Sequence, residues 1–189
     1  HGSLEKIEST GFWPANHHLL GKDILTTHAV YWSTILKAIG FAPALNLFAH
    51  GWWTINGQKM SKSVGNTVEP NLLVNQFGVD PIRYFLLREV PFGLDGDFSH
   101  RALIGRINSD LANNLGNLLN RTMSMIKRYH DQVIPEPTSR DEDADLKNEF
   151  QGGIDAVKKL YSDLAYNKIL ERIWLLVDAT NKYIDTNSP

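Results

Sequence analysis

The stretch HHLLGKD, residues 17–23, decides the fold class of this chain. Its first four residues form a short apolar run that ends at Gly21, which is the pattern of a buried strand. Asp23 is a side chain that can cap a helix, and the helical pattern continues to about Ala38 and stops at Gly40. The stretch therefore predicts a strand that runs directly into a helix.

A second strand is predicted on the far side of that helix, because residues 46–55 are rich in aromatic and β-branched side chains. A strand, a helix and a strand in this order form a parallel crossover unit, which is typical of an α/β nucleotide-binding sheet. A doubly wound sheet needs about five or six strands. The two strands therefore predict the second half of a Rossmann-type parallel sheet.

The rest of the chain is predicted to be helical and to form an antiparallel bundle. Asp80-Pro81 is expected to begin the second of these helices, with proline at its first position, and Ser99 to cap the third. A loop is expected at 91–98 and a proline-bearing break at 133–138. The predicted helices span residues 71–77, 80–90, 100–129, 144–164 and 165–185.

Charge is distributed unevenly along a chain of 189 residues whose net charge is only −2. Residues 99–130 hold five Lys or Arg and one Asp, a net of +4, whereas residues 131–155 hold two basic and eight acidic side chains, a net of −6. A polyanion is expected to bind the first segment and to avoid the second.

Because the chain has no cysteine, disulfides and thiolate metal sites are excluded. No apolar run has the length of a membrane span and no secretory signal is visible, so a cytosolic protein is the default expectation.

The stretch GQKMSKS, residues 57–63, places two lysines and two serines in a short loop directly after the second predicted strand. Such a loop can place mobile positive charge over a phosphate chain. In a reaction that expels a phosphate group, a lysine that swings in as negative charge grows on that group stabilises the transition state more than the ground state. Lys62 is the main candidate for this role and Lys59 is the second, while Ser61 and Ser63 can donate hydrogen bonds or shape the loop.

Two further groups of polar residues are candidates for binding. Lys22 and Asp23 lie where a strand ends and a helix begins, which is where α/β sheets bind ligands. On the predicted long helix, polar side chains recur at spacings of four, three, four and four, at Arg106, Asp110, Asn113, Asn117 and Arg121. Asn and Arg side chains can read or stack on unpaired bases. By itself, such a stripe indicates a solvated helix face.

Residues 59–63 read KMSKS and match the signature of class I aminoacyl-tRNA synthetases at all five positions. The stretch 21–24 together with His28, Tyr31 and Trp32 resembles the methionine-binding helix of methionyl-tRNA synthetases. That likeness separates the chain from the leucine, isoleucine, valine and cysteine enzymes. The resemblance extends from Gly11 to Pro189 and implies a methionine–tRNA ligase, which activates methionine with ATP to methionyl-adenylate and transfers it to tRNA(Met).

The resemblance also implies a role for individual residues. ATP is expected to enter with Mg²⁺, and no metal site is expected within this chain. The residues implied in ATP binding are His50, Gly51, Lys59, Met60, Ser61, Lys62 and Ser63; in catalysis, Lys62, Lys59 and Lys22; in methionine binding, Asp23, Ile24, His28 and Trp32. Asn117 and Arg121 match positions that contact the anticodon, and Asn113 shares their stripe.

The implied domains are a tag remnant at 1–3, the C-terminal half of a catalytic domain with the lysine loop at 4–68, a helical connector in the stem-contact region at 69–98 and a helical anticodon-binding domain at 99–189. The family's HIGH motif, first strands and connective domain with its metal knuckle have no counterpart in these residues. The chain alone is therefore expected not to activate methionine. One residue beyond Pro189, the family pattern has a tryptophan that stacks on an anticodon base.

Other interpretations fit parts of the same sequence. One is a class I synthetase of the leucine, isoleucine or valine type, and another is an RNA-binding module without catalysis that binds tRNA through residues 106–128. The third is a structural helical domain in which the lysine loop is a coincidence.

For the main interpretation, the expected partners are tRNA(Met), methionine and ATP, without a membrane. The expected compartment is the cytoplasm, with the mitochondrial matrix as the alternative.

Overall fold

A computed structural model describes residues 6, 9–55, 57–61, 63, 65–138, 140 and 143–187. The chain divides into two compact units. The first comprises His1–Lys59 and Phe92–Asp97, and the second comprises Met60–Pro91 and Phe98–Pro189. The predicted tag remnant at residues 1–3 lies outside the described residues.

The first unit contains the predicted parallel crossover. Strand β1 (His17–Gly21) pairs in parallel with β2 (Asn46–His50), in a register from His17 opposite Asn46 to Gly21 opposite His50. The connection consists of a 3-10 turn (Lys22–Ile24), a π-helical segment (Thr27–Trp32) and helix α1 (Ser33–Ala38). Its Leu36 side chain is buried in the core of this unit.

Asp23 is not the helix cap that its position in the sequence predicts. The first helical turn begins at Lys22, so that Gly21 precedes it and Asp23 lies inside it. No side chain caps this turn by a hydrogen bond.

The second predicted strand, 46–55, is wrong as a single element, because the chain forms β2 and then a separate strand β3 (Trp53–Ile55). β3 pairs antiparallel with β4 (Gln58–Lys59) and parallel with β5 (Gly96–Asp97). The break falls at Gly51, where a β-carbon would collide with the backbone carbonyl of Leu94. The predicted loop at 91–98 thus supplies one strand of this second sheet.

The second unit is helical. Its first two helices are α2 (Pro70–Phe77) and α3 (Val79–Glu89). Pro70 occupies the start of α2, and the Glu69 side chain accepts a hydrogen bond from the N–H of Asn71. The predicted start of α3 is wrong: the helix begins at Val79 after Gly78, which places Pro81 third instead of first. Proline is tolerated there because the first-turn N–H groups have no intrahelical acceptor.

The predicted long helix forms as three successive segments, α4 (His100–Arg106), a π-helical segment (Ile107–Gly116) and α5 (Asn117–Tyr129). Ser99 caps it as predicted, accepting a hydrogen bond from the N–H of Ala102 at 3.1 Å. The π-helical segment was not predicted, because apolar spacing does not distinguish it from an α-helix. Residues 133–138 form the predicted break, with no regular structure.

The last two helices pack closely on each other. They are α6 (Ala144–Ser162) and α7 (Tyr166–Asn187), in place of the predicted 144–164 and 165–185. Gly153 of α6 is buried, and a β-carbon there would lie 2.9 Å from Leu176 of α7, so glycine permits the close approach. The core of this unit includes Phe85 and Leu103, both fully buried.

Candidate functional site

A tight hairpin in the first unit positions Lys59, the first lysine of the loop. β3 and β4 pair with Thr54 opposite Lys59. Gly57 lies in the turn with a φ angle of 73°, which glycine adopts without steric cost. The Lys59 ammonium group lies 4.1 Å from the centroid of the Trp52 ring, a distance at which an ammonium group and an indole ring attract each other. The hairpin thus gives this lysine a defined place.

The remaining described residues of the lysine loop belong to the second unit. The N–H of Ser61 donates to Asn66 Oδ1 at 2.8 Å, and the hydroxyl groups of Ser61 and Ser63 are 2.7 Å apart. The N–H of Gly65 donates to the Ser61 carbonyl at 3.1 Å, and Met60 is half-buried. These bonds fold the loop into a local turn. Lys62, the main catalytic candidate, lies outside the described residues, and its role stays a prediction.

Lys22 reaches the same indole ring from the end of β1. Its ammonium group lies 4.3 Å from the centroid of the Trp52 ring and donates to Asp95 Oδ2 at 2.6 Å. Asp95 also accepts a hydrogen bond from the backbone N–H of Trp52 at 2.8 Å. The hydrogen bond from Lys22, followed by that from Trp52, holds the pKa of Asp95 below its ordinary value, so the carboxylate is ionised at neutral pH. The first unit therefore brings Lys22 and Lys59 to one side chain.

The candidate methionine-binding residues lie on one helical stretch directly after β1. Asp23 and Ile24 belong to the 3-10 turn, and His28 and Trp32 to the π-helical segment. His28 Nδ1 is 3.0 Å from the Ile24 carbonyl oxygen, and the His28 ring lies edge-on to that of His18. Ile24 and Trp32 are 42% and 38% exposed, which leaves apolar surface for a ligand. Their role in binding methionine stays a prediction.

His50 and Gly51, the candidates for adenosine contact, lie at the end of β2. His50 is exposed, and its Nδ1 lies 2.8 Å from the Gly51 carbonyl oxygen. Gly51 is buried against the backbone of residues 94–95. This glycine therefore has a packing role that the sequence did not indicate, and the contact with ATP stays a prediction for both residues.

Residues 92–97 contain two aspartates, Asp95 and Asp97, that the sequence analysis missed. Asp97 Oδ1 accepts hydrogen bonds from the Thr54 hydroxyl at 2.6 Å and from the N–H of Gly57 at 2.8 Å. Asp97 thus binds both β3 and the turn that precedes Lys59. The available signal was the order Asp-Gly-Asp, in which two acceptors flank the glycine at position 96. This order alone did not show which groups they contact.

Two residues of the predicted polar stripe form internal bonds in the second unit. Arg106 Nε donates to Glu89 Oε2 at 2.8 Å, and Arg106 Nη1 lies 3.4 Å from Asp110 Oδ2. The Tyr84 hydroxyl donates to Asp110 Oδ2 at 2.6 Å. Because α3 packs against this stretch and supplies Tyr84 and Glu89, the interpretation as a five-residue solvated stripe is wrong at its first two positions.

The same cluster has shifted ionisation. Burial raises the pKa of Tyr84, and its hydrogen bond to Asp110 raises it further. For Asp110, burial alone would raise the pKa, but hydrogen bonds from Ser109 and Tyr84 and the charge of Arg106 outweigh burial and hold the pKa below its ordinary value. The hydrogen bond to Glu89 is the largest cause of a raised pKa for Arg106. The cluster therefore holds an ionised carboxylate and a guanidinium at neutral pH.

The last three residues of the stripe are exposed or form an ion pair near the surface. Asn113 and Asn117 are exposed. Arg121 Nη2 donates to Asp185 Oδ1 of α7 at 2.5 Å, and the Asp185 side chain is 67% exposed. A nucleotide that binds Arg121 must therefore share the guanidinium with this carboxylate or displace it.

Among the described residues, no group of three or more His, Cys, Asp or Glu side chains is arranged to hold a metal ion. Over the same part of the chain, no helix combines the length and the apolar character needed to cross a bilayer.

Comparison with known families and proteins places this arrangement in context. Residues 5–123 match the family described as tRNA synthetases class I (M). The methionine–tRNA ligase of Caldanaerobacter subterraneus subsp. tengcongensis is 52% identical over 179 residues, which cover 94% of this chain and 28% of that protein. The methionine–tRNA ligase of Clostridium tetani is 46% identical over the same coverage.

Solved structures give the same result for the fold. Mycobacterium tuberculosis methionyl-tRNA synthetase in complex with methionyl-adenylate matches with a TM-score of 0.89 and 46% identity, covering 94% of this chain and 35% of that one. The apo form of that enzyme matches with a TM-score of 0.84 and 41% identity, covering 94% and 34%. The chain spans about a third or less of the length of each of these relatives.

Proposed function

We propose that this chain is part of a methionine–tRNA ligase, because it belongs to the methionyl-tRNA synthetase family of class I tRNA synthetases. The reaction activates methionine with ATP to methionyl-adenylate and then transfers the methionyl group to tRNA(Met). The observation that carries this proposal is the pair of lysines, Lys22 and Lys59, whose ammonium groups both lie within 4.3 Å of the Trp52 ring centroid. Lys22 lies next to the carboxyl ends of the parallel strands, where α/β sheets bind ligands.

In activation, the methionine carboxylate attacks the α-phosphorus of ATP and the bond to the pyrophosphate oxygen breaks. Mg²⁺ enters with ATP as part of the substrate. Lys22, Lys59 and Lys62 are proposed to stabilise the negative charge that grows on the pyrophosphate, which accelerates the step because that charge is larger in the transition state. Met60, Ser61 and Ser63 are proposed to shape the loop on the polyphosphate, and His50 and Gly51 to contact the adenosine.

The methionine subsite is proposed on the helical stretch after β1. Asp23 is assigned to the substrate ammonium and adenosine region, and its carboxylate is suited to an ammonium group. Ile24, His28 and Trp32 are assigned to the thioether pocket. The partial exposure of Ile24 and Trp32 supports this assignment, because an apolar pocket wall must be open to its ligand before binding.

The finer organisation is proposed on the same basis. Residues 4–68 are assigned to the second half of a Rossmann-type catalytic domain, 69–98 to a helical connector and 99–189 to an anticodon-binding helical bundle. The parallel pair β1–β2 supports the first assignment, and helices α4 to α7 support the last. Asn113, Asn117 and Arg121 are proposed to contact the anticodon, because their amide and guanidinium groups lie on one stretch of α5 and the segment before it.

The test is a chimaera in which this chain replaces the matching segment of the Caldanaerobacter relative. We expect methionine-dependent exchange of pyrophosphate into ATP at a rate close to that of the parent enzyme, and none with leucine. Exchange with leucine would favour another class I specificity. A folded chimaera with no exchange, beside an active parent enzyme, would refute the proposed contribution of this chain to activation.

A further inference from the structure

Two lysine side chains from different parts of the first unit meet at the ring of Trp52. Lys22 comes from the end of β1, Lys59 from the end of β4, and Trp52 from the link between β2 and β3. The two ammonium groups lie 4.3 and 4.1 Å from the centroid of the indole ring. The face of an aromatic ring carries partial negative charge, so both distances are attractive.

Asp95 fixes two members of this group at once. One carboxylate oxygen accepts from the Lys22 ammonium at 2.6 Å, and the other accepts from the backbone N–H of Trp52 at 2.8 Å. The carboxylate therefore orients the lysine and the residue that carries the ring. It also compensates one positive charge, which reduces the repulsion between two ammonium groups at the same ring.

A flexible lysine loses conformational freedom when it binds an anion, and this loss weakens binding. A side chain that already holds the ammonium group in place reduces that cost. Two lysines held at one ring present two ammonium donors, which suits a chain of phosphates with several negative oxygens.

We propose that Trp52 is a positioning residue, whose ring holds Lys22 and Lys59 as a pair that binds a polyphosphate, with Asp95 fixing the ring and Lys22. The inference rests on the proposed function in that the polyphosphate of the reaction is that of ATP. It adds a role for Trp52 and Asp95, neither of which belongs to the lysine loop. Trp52 acts through the lysines and makes no contact of its own with the reacting atoms.

The test is a calorimetric titration of the 189-residue chain with inorganic tripolyphosphate at low ionic strength, where charge interactions are least screened. The variants are Trp52→Leu, Trp52→Phe, Lys59→Met and the double variant Trp52→Leu with Lys59→Met. Trp13→Leu is the matched control, because the Trp13 ring lies edge-on to Phe41 at 5.6 Å. Thermal unfolding of each variant checks that it is folded.

Trp52→Leu is expected to weaken tripolyphosphate binding by about two- to thirtyfold, the range that cation–π contacts span. Trp52→Phe should recover part of the loss, and Trp13→Leu should bind like the wild type. The double variant should lose less binding than the two single losses combined, because in the Lys59→Met background the ring has only Lys22 left to position. The proposal is overturned if the wild type does not bind tripolyphosphate, if Trp52→Leu binds as tightly as the wild type, or if the losses add. Since this assay contains no methionine, its outcome is independent of the exchange test of the proposed function.

Discussion

Replacing Asp97 with alanine is expected to loosen the hairpin that carries Lys59. The Asp97 carboxylate accepts hydrogen bonds from the Thr54 hydroxyl at 2.6 Å and from the N–H of Gly57 at 2.8 Å. A hydrogen bond to a charged group contributes about 1.5–3 kcal/mol. Because Asp97 is exposed, we take the lower end of this range for each bond. The two bonds then contribute about 3 kcal/mol, and their loss should raise the open fraction of the hairpin about a hundredfold.

The assay is native-state hydrogen exchange of the Gly57 amide, followed by NMR in the wild type and the variant. Exchange of this amide should accelerate about a hundredfold in Asp97→Ala, since exchange follows the population of the open state. Asp97→Asn keeps an acceptor oxygen and should accelerate it less. The amide of Phe85, a buried residue of the second unit, is the internal control and should be unchanged. Equal Gly57 exchange in Asp97→Ala and the wild type would refute the anchoring role.

Four further predictions concern the second unit and the lysine loop. Tyr84→Phe should lower the free energy of unfolding by about 1.5–3 kcal/mol in denaturant titrations, because its hydroxyl donates to the Asp110 carboxylate; an unchanged midpoint would contradict this. The pKa of Asp110 is lower in the folded state than its unfolded value of about 3.9, so its stabilising effect is present above that pH and lost as the pH falls through the folded pKa. The wild type should therefore lose more stability below about pH 4 than Asp110→Asn, and parallel pH profiles would count against the assignment. In the chimaera, Lys62→Ala should raise the activation barrier by roughly 3–4 kcal/mol with little change in the Kd for methionine, and the opposite pattern would exclude its catalytic role. Arg121→Ala should weaken binding of tRNA(Met), measured by filter binding. It should leave methionine-dependent exchange of pyrophosphate into ATP unchanged.

The crossover of the first unit was predictable because its signals are local. An apolar run, a helical pattern and a β-branched run follow one another within residues 17–55, and the structure confirms a parallel pair joined by a helical connection. The division of residues 46–55 into two strands was not predictable. Its cause is the approach of residues 94–95 to Gly51, a contact between positions more than 40 residues apart. Nothing within residues 46–55 encodes the backbone that approaches it.

The candidate site was predictable as a set of residue types and only partly as an arrangement. The sequence indicates Lys22 and Lys59 separately, but the Trp52 ring that both ammonium groups contact became visible only in the folded chain. On the long helix, periodicity predicted a stripe and could not show that Tyr84 and Glu89 take up its first two positions. Side-chain partners from another element are tertiary contacts, which a pattern along one helix does not contain.

The central claim is that this chain serves methionylation of tRNA, and the most direct test is the complete reaction. The measurement is methionine transfer by the Caldanaerobacter chimaera to tRNA(Met) and to the same tRNA with a substituted anticodon. We predict efficient methionylation of tRNA(Met) and a large loss with the substituted anticodon, since the chain is proposed to supply both the lysine pair and the anticodon contacts. Equal methionylation of the two tRNAs, or none of either by a folded chimaera beside an active parent enzyme, would contradict the account.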